Sequence, residues 1–475
     1  METLRTEVVV IGSGPGGYVA GVRLGQLGKK AVVVEREYVG GICLNVGCIP
    51  SKALITAAKS YEKAKHNETM GIFASDVRLD VARMQAWKGE VVNKLTSGVR
   101  ALLKSAGTQL VLGEAKFVDP RRIEVKKSDG QVLQIEADQF IVATGSRPIQ
   151  IPGFTVDQKR VIDSTGALAL DAIPGRLLVI GGGYIGLELG IMYAKLGAKV
   201  TVVEGTPSLL PGTDPDLVAV VARKMKKAGI EVHLEAKALG WEEKGGAAHV
   251  RVGTKDKGEI AIETDKILLT VGRRPNSENL GLEAIGVKVE KGFVVVDKQQ
   301  RTSVRHIFAI GDVCGQPMLA HKASREAEVA AEVIAGHKAE MDAVAIPAVI
   351  FTDPEIAYVG LQEHEAKKAD RKVKVGKYAL GAHGRALAMA ETDGFVKIIA
   401  DAATDEVLGM AVVGAEASDL ISEGALALEM GAFLPDLALT IHPHPTMGEA
   451  VMEAAKGALG ESPHIIGGGQ KRGAL

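Results

Sequence analysis

Residues 7–35 read EVVVIGSGPGGYVAGVRLGQLGKKAVVVE: an apolar run, a glycine-rich turn, a stretch of helical spacing closing on Leu-Gly, and a second apolar run ending on Glu35. Short unbroken runs of Val and Ile predict strands buried on both faces, so the pattern reads as strand, helix, strand of a parallel sheet. Residues 176–204, RLLVIGGGYIGLELGIMYAKLGAKVTVVE, repeat it without a gap at a shift of 169, with 12 of 29 positions identical. Each copy holds G-x-G-x-x-G: Gly12, Gly14 and Gly17 in the first, Gly181, Gly183 and Gly186 in the second. Such glycines allow a tight turn and bring backbone close to a pyrophosphate, while the helix N-terminus offers it unpaired N–H groups. Glu35 and Glu204 each follow the first glycine by 23 residues, where a carboxylate can accept hydrogen bonds from a ribose diol. Two copies in register predict two dinucleotide sites.

After each unit come short β-type runs, 109–142 and 230–271, ending in VATGSRP and TVGRRPN. Each is expected to be an antiparallel insertion that returns the chain to its parallel sheet. Further strand and helix patterns fill the stretch to about 345, and AIPAVIFTDPEIAYVG then opens a different α+β segment. The expected domains are therefore 1–150, 151–275, 276–345 and 346–475. The tail GGGQKRGAL reads as flexible.

With 475 residues the chain has room for three or four domains at roughly 150 residues each. A hydrophobic fraction of 46% with 24% charged residues is that of an ordinary soluble protein. The net charge of −1, with no long run of one sign, gives no support to a nucleic-acid or anionic-membrane partner. METLRTEVVVIGSG lacks a basic segment leading into an apolar one, so no signal peptide is expected. No apolar run is expected to approach the roughly 18 residues of a membrane span. The setting reads as a reducing compartment, the cytoplasm.

Two of only three cysteines, Cys43 and Cys48, share GGICLNVGCIPSK at 40–52, and the third is Cys314. A zinc site needs more clustered ligands than the pair offers, so no metal site is expected. A structural disulfide across so small a loop would restrain the unfolded chain little. A redox-active pair is the third reading, and it is favoured because close cysteines in reducing compartments serve redox chemistry. Five helical residues advance about 7.5 Å, beyond the usual reach of about 6.8 Å between bridged Cα atoms, so Asn45-Val46-Gly47 must bend the backbone. Pro50 suits the first turn of a following helix, whose N-terminus favours a thiolate at Cys48.

GGICLNVGCIPSK closely resembles the active-site segment of the flavin disulfide reductases, commonly GGTCLNVGCIPSK. The resemblance runs over essentially the whole chain, through VATGSRP, TSVRHIFAIGDV at 302–313, LAHKAS at 319–324 and HPHPTMGE at 442–449. It implies two Rossmann-like dinucleotide-binding domains with antiparallel insertions, an α/β arrangement, followed by an α+β dimerisation domain. By the same resemblance the first glycine unit binds FAD and the second NAD, with Thr144, Gly145 and Gly272 also in the cofactor sites. Asp312 would meet the flavin ribityl chain, Cys48 would face the flavin, and Cys43 would exchange with substrate. Lys52 would pair with Glu188 near the flavin. His444 would be a base oriented by Glu449, since an acid on one ring nitrogen leaves the other to take a thiol proton.

Within the family the chain is most similar to members that oxidise protein-bound dihydrolipoyl groups and pass hydride to NAD⁺. Glutathione reductase is the alternative to weigh, but its NADPH calls for arginines after the second strand, and here Glu204-Gly205-Thr206-Pro207 stands there. Mercuric reductase carries a vicinal cysteine pair near its C-terminus, which this tail lacks. A non-catalytic flavoprotein would need none of Cys43, Cys48, His444 and Glu449. Departures from the family pattern at Pro443, Met447, Gly448, Arg325 and Cys314 bear on the shape of the substrate channel and nicotinamide pocket. The implied assembly is a homodimer with active sites shared across the interface. With no lipoyl domain ahead of the first unit, the substrate is expected on a separate protein: the acyltransferase of a 2-oxoacid dehydrogenase complex, or the carrier of glycine cleavage.

Overall fold

The computed structural model describes residues 2–466, so the tail GGGQKRGAL lies outside the described residues. The chain divides into two compact units: the chain up to Ile173 with Val271–Asp342, and Pro174–Thr270 with the chain from Ala343 onward.

In the first unit the strand Glu2–Ile11 lies between Ala31–Glu35 and Val132–Val142, parallel to both. Gln109–Leu112 extends the sheet beyond Ala31–Glu35, and Ile307–Ala309 extends it beyond Val132–Val142, again in parallel. Successive strand residues face opposite sides, and the core divides accordingly. Val8, Val10 and Val33 meet Ala20 and Leu24 of helix Pro15–Gln26 and Ala327, Ala330 and Ala331 of helix Ala320–Ile334. Val9, Ile11, Val32 and Val34 face a second cluster with Phe140, Ile123 and Ile135. Burial on both faces is why these strands carry no polar alternation.

The second unit repeats the plan. Arg176–Ile180 lies parallel to Lys199–Val203 and to Lys266–Leu269, and Glu231–His233 lies parallel to Lys199–Val203. Expecting wholly antiparallel insertions at 109–142 and 230–271 misses this detail: the first strand of each run is one more parallel strand. The antiparallel part begins afterwards, as Glu114–Asp119 and Arg122–Lys126 in one copy and the meander Lys237–Lys244, Ala247–Thr254, Gly258–Thr264 in the other.

From Ala348 the second unit forms a five-stranded antiparallel sheet in the order Ala348–Ile350, Glu355–Gly360, Val407–Gly414, Phe395–Asp401, Val373–Ala379. Helices Ala417–Glu429 and Glu449–Leu459 add Ile421, Val451 and Ala454 to a core with Val396, Ile398, Met410 and Val412. This is the expected α+β segment.

One expectation fails. Gly41–Lys65 reaches the length and apolarity of a membrane span. It is two helices, Gly41–Val46 and Cys48–Lys65, and the second carries Lys52, Lys59, Glu62, Lys63 and Lys65. Charges at that density suit a helix of a folded domain, since each is costly in a bilayer.

Candidate active site

The two glycine turns are built alike. Gly12 and Gly181 hold φ of +105° and +110°, and a Cβ on either would stand 2.3 Å from the carbonyl oxygen of Ala143 or 2.4 Å from that of Thr270. A Cβ on Gly17 or Gly186 would stand 1.9 or 2.2 Å from the carbonyl oxygen of Gly12 or Gly181, so only glycine lets helix and strand approach this closely. Helices Pro15–Gln26 and Tyr184–Lys195 start after Gly14 and Gly183 with no side-chain cap, whereas the long helix Val81–Ser105 is capped by Asp80. Uncapped N–H groups behind a bare glycine turn fit a pyrophosphate.

Each terminal acid is buried and already engaged. Glu35 Oε2 accepts from Ser13 N (2.8 Å) and Ser13 Oγ (2.7 Å), and Oε1 accepts from Glu37 N (2.7 Å) and Tyr38 N (3.1 Å). Glu204 Oε2 accepts from Gly182 N (2.6 Å), and Oε1 from Thr206 N (2.7 Å). The acid is thus a brace between its own glycine turn and the loop beyond the second strand. The Glu35 oxygens accept four bonds from the protein and the Glu204 oxygens two, so a ribose would find more open acceptor capacity at Glu204. Ser13 is a residue the sequence reading missed, although it stands inside the quoted motif.

Cys43 lies in Gly41–Val46 and Cys48 opens Cys48–Lys65, with Gly47 between them at φ −141°, ψ −115°. The bend expected over Asn45-Val46-Gly47 is made at Gly47. There a Cβ would stand 2.9 Å from the carbonyl oxygen of Ile42. Asn45 Nδ2 secures the preceding turn by donating to the carbonyls of Val39 (3.0 Å) and Gly41 (2.9 Å). The thiols of Cys43 and Cys48 touch: their hydrogen bond, then burial, pushes the Cys43 thiol well up, while the nearby Lys52 ammonium pulls the other way. The N-terminal glycine of this segment, Gly41, also meets the first turn, since a Cβ on it would stand 2.4 Å from Gly14 Cα. The cysteine pair is therefore locked beside the first dinucleotide cradle.

A third cluster in the same unit joins residues far apart in sequence. Ser146 Oγ donates to Asp312 Oδ2 at 2.5 Å and accepts from Arg273 Nε at 2.8 Å. Gly311 N donates to Glu326 Oε2 at 2.7 Å, and Glu326 pairs with Lys322 at 2.7 Å, both side chains nearly buried. Thr144 and Gly145 are tied to Asn276: Thr144 Oγ1 donates to the Asn276 carbonyl (2.7 Å) and Asn276 N to the Gly145 carbonyl (2.9 Å). Gly272 accepts from Ile149 N, and Ser146–Pro148 pairs antiparallel with Arg273–Pro275, so the VATGSRP and GRRPN turns come together. Burial and the Glu326 carboxylate push the Cys314 thiol well up. Ser146, Arg273, Lys322 and Glu326 were missed because nothing local in sequence reports a contact across 127 or 166 positions.

In the second unit His444 Nδ1 stands 2.9 Å from Glu449 Oε1, and Glu449 Oε2 accepts from Thr446 N at 2.9 Å. Burial alone would raise the Glu449 carboxyl, but the Thr446 N–H and the His444 ring hold it below its usual range. The His444 side chain is 77% exposed, so its other nitrogen is open to a reactant. Glu188 is buried in helix Tyr184–Lys195 and accepts from Phe351 N at 2.9 Å.

The anticipated residues therefore fall into two groups. Gly12, Gly14, Gly17, Glu35, Cys43, Cys48, Lys52, Thr144, Gly145, Gly272 and Asp312 belong to the first unit; Gly181, Gly183, Gly186, Glu188, Glu204, His444 and Glu449 belong to the second.

The pyridine nucleotide-disulphide oxidoreductase family matches residues 6–327, and the dimerisation domain of that family matches residues 346–455. The dihydrolipoyl dehydrogenase of Geobacillus stearothermophilus is 50% identical over 465 residues, 98% of this chain and 98% of the relative. That of Bacillus subtilis is 49% identical over the same shares. Among solved structures, LpdA from Mycobacterium tuberculosis superposes with a TM-score of 0.88 at 28% identity, covering 95% of this chain and 99% of that one. The HOCl-induced flavoprotein disulfide reductase RclA from Escherichia coli gives 0.85 at 28% identity, covering 95% and 99%. The chain belongs to the pyridine nucleotide-disulphide oxidoreductases, and within that family to the dihydrolipoyl dehydrogenases.

Proposed function

We propose that Cys43, Cys48 and the His444–Glu449 pair carry out the dihydrolipoyl dehydrogenase reaction, in which dihydrolipoyl and NAD⁺ become lipoyl, NADH and a proton. The observation that carries this reading is the contact of the Cys43 and Cys48 thiols across Gly47, where the helix Cys48–Lys65 follows the short helix Gly41–Val46 packed on the first glycine turn. FAD fits the first cradle and NAD the second; bound flavin supplies a two-electron relay between the dithiol and the nicotinamide.

The residues divide the work. Glu449 fixes the His444 ring so that Nε2 takes a proton from a substrate thiol. The resulting thiolate attacks Cys43 of the oxidised pair, forming a mixed disulfide and releasing Cys48 as the thiolate. The second substrate thiol passes its proton to Cys43 as its sulfur displaces Cys43 from the mixed disulfide, so lipoyl leaves with its ring disulfide, Cys43 is left as the thiol and two electrons remain on the cysteines. The helix N-terminus at Cys48 favours the thiolate there, and the push of the Cys43 thiol upward suits it to accept the proton of the second substrate thiol. Glu204 selects NAD, since its carboxylate would repel a 2′-phosphate. The substrate arrives on a lipoyl-bearing partner, the acyltransferase of a 2-oxoacid dehydrogenase complex or the carrier of glycine cleavage, in the reducing cytoplasm.

Anaerobic two-electron reduction of the holoenzyme tests the cysteine roles. Cys43→Ser keeps the long-wavelength thiolate-to-flavin absorbance and loses dihydrolipoamide turnover, whereas Cys48→Ser loses both. The reverse pattern would exchange the two roles, and turnover in both variants would remove the pair from the reaction.

A further inference from the structure

His383 takes no part in the scheme above, yet it sits 4% exposed in the unit that holds His444 and Glu449. It follows the turn Leu380–Ala382 and precedes the short helix Gly384–Ala388, with its ring edge-on to Tyr378, centroids 5.8 Å apart and planes at 88°. Its Nε2 lies 2.8 Å from the carbonyl oxygen of Thr446. A carbonyl only accepts, so Nε2 carries the hydrogen and donates.

Thr446 is thereby held at three atoms. Its carbonyl accepts from His383, its N–H donates to Glu449 Oε2, and its hydroxyl donates to the Pro443 carbonyl at 2.7 Å. The other Glu449 oxygen faces His444 Nδ1. Contacts thus run from His383 through Thr446 and Glu449 to His444. The near end of the segment is anchored separately: His442 Nδ1 lies 2.9 Å from the Thr440 carbonyl and its Nε2 lies 2.9 Å from Glu423 Oε1. His442 and His383 are buried anchors on either side, and His444 is the exposed ring between them.

We propose that His383 is a positioning residue for thiol oxidation: by pinning the Thr446 carbonyl it keeps the Thr446 N–H on Glu449, and so keeps Glu449 on His444. The inference rests on the reading of His444 as the thiol base. Without the imidazole donor, the Thr446 carbonyl loses its partner, the peptide is free to turn, and Glu449 loses the bond that sets its angle.

The test separates the half-reaction that needs the base from the one that does not. Oxidised holoenzyme is mixed rapidly with dihydrolipoamide, and separately with NADH, and flavin absorbance is followed. In His383→Leu the dihydrolipoamide-driven reduction slows about 10- to 100-fold, the scale of a small misplacement of a catalytic group, while NADH-driven reduction keeps its rate. His383→Gln, whose amide N–H reaches to the same depth as Nε2, recovers most of the loss. Should the leucine variant fail to take up flavin, His383→Asn, whose shorter amide leaves Thr446 out of reach, replaces it with the same outcomes. Equal slowing of both half-reactions, or no recovery in the glutamine variant, would reduce His383 to packing and overturn the proposal. Glu449→Gln is measured alongside. If it slows dihydrolipoamide while His383→Leu does not, the positioning role falls alone; if it slows nothing, the base reading beneath it falls.

Discussion

Glu204 shows how much one side chain carries in a dinucleotide fold. Its two oxygens brace Gly182 and Thr206 from a buried position, which places a fixed negative charge beside the second glycine turn. Losing a charged hydrogen bond to a ribose costs about 1.5–3 kcal/mol, roughly 10- to 100-fold in affinity. Glu204→Ala is expected to weaken NADH binding by that factor while NADPH binding improves, as read by titration of the holoenzyme with each nucleotide. Unchanged preference would remove Glu204 from cofactor selection. The position of Glu204 was legible in sequence because it repeats Glu35 at the same spacing from its own glycines. The hydroxyl of Ser13 was not, since the second copy has Gly182 there and manages with the backbone N–H alone. His383 was still less legible: its partner lies 63 positions away, and a buried histidine has no periodic signature.

At the scale of elements, periodicity located strands and helices but did not give strand direction. Gln109–Leu112 (QLVL) and Glu231–His233 (EVH) are too short for sequence to report a direction, and their parallel pairing is decided by the helices before them, which carry the chain back across the sheet. Charge inside an element was equally hidden. Lys397 occupies the central region of strand Phe395–Asp401 with its side chain fully buried. Its ammonium donates to Asp214 at 2.7 Å, Asp216 at 2.9 and 3.0 Å and Glu363 at 3.2 Å, tying the sheet to the starts of helices Pro215–Lys227 and Glu363–Lys368. Burial alone would raise the Asp214 carboxyl, but Lys397 and the His364 contacts bring it down to about 2. A carboxyl whose folded value lies below its ordinary value of 3.8 stabilises the fold above that pH and loses the contribution as pH falls toward 2. Lys397→Met leaves Asp214 buried without its cation, a defect worth about 3–5 kcal/mol near neutral pH. The urea midpoint of the variant should fall well below wild type near neutrality and converge with it between about pH 4 and 2. Equal midpoints near neutrality would show that the cluster contributes nothing net.

At the scale of the whole molecule, the C-terminal domain leaves apolar side chains in water that an isolated chain would cover. Leu426, Met430 and Leu439 are largely exposed, and Ile441 is 93% exposed, all within the matched dimerisation domain. Such a patch marks a protein interface, and the family makes it a homodimer. Ile441 stands three positions before His444, so the exposed apolar patch lies close in sequence to the proposed base. The cysteine pair, by contrast, belongs to the other unit of the chain. We propose that each cysteine pair works with the histidine of its partner, a reading drawn from the family resemblance and the closeness of His444 to the interface. Two-fold symmetry makes it testable, because a shared site is built twice and reciprocally. Cys48→Ser and His444→Ala proteins, each inactive with dihydrolipoamide, are unfolded and refolded together with flavin. A heterodimer then contains one site with both lesions and one with neither. Random pairing yields about half heterodimers, so roughly a quarter of wild-type activity should return. Sites confined to single chains would each keep one lesion, and a mixture as inactive as its parents would place base and disulfide within one subunit.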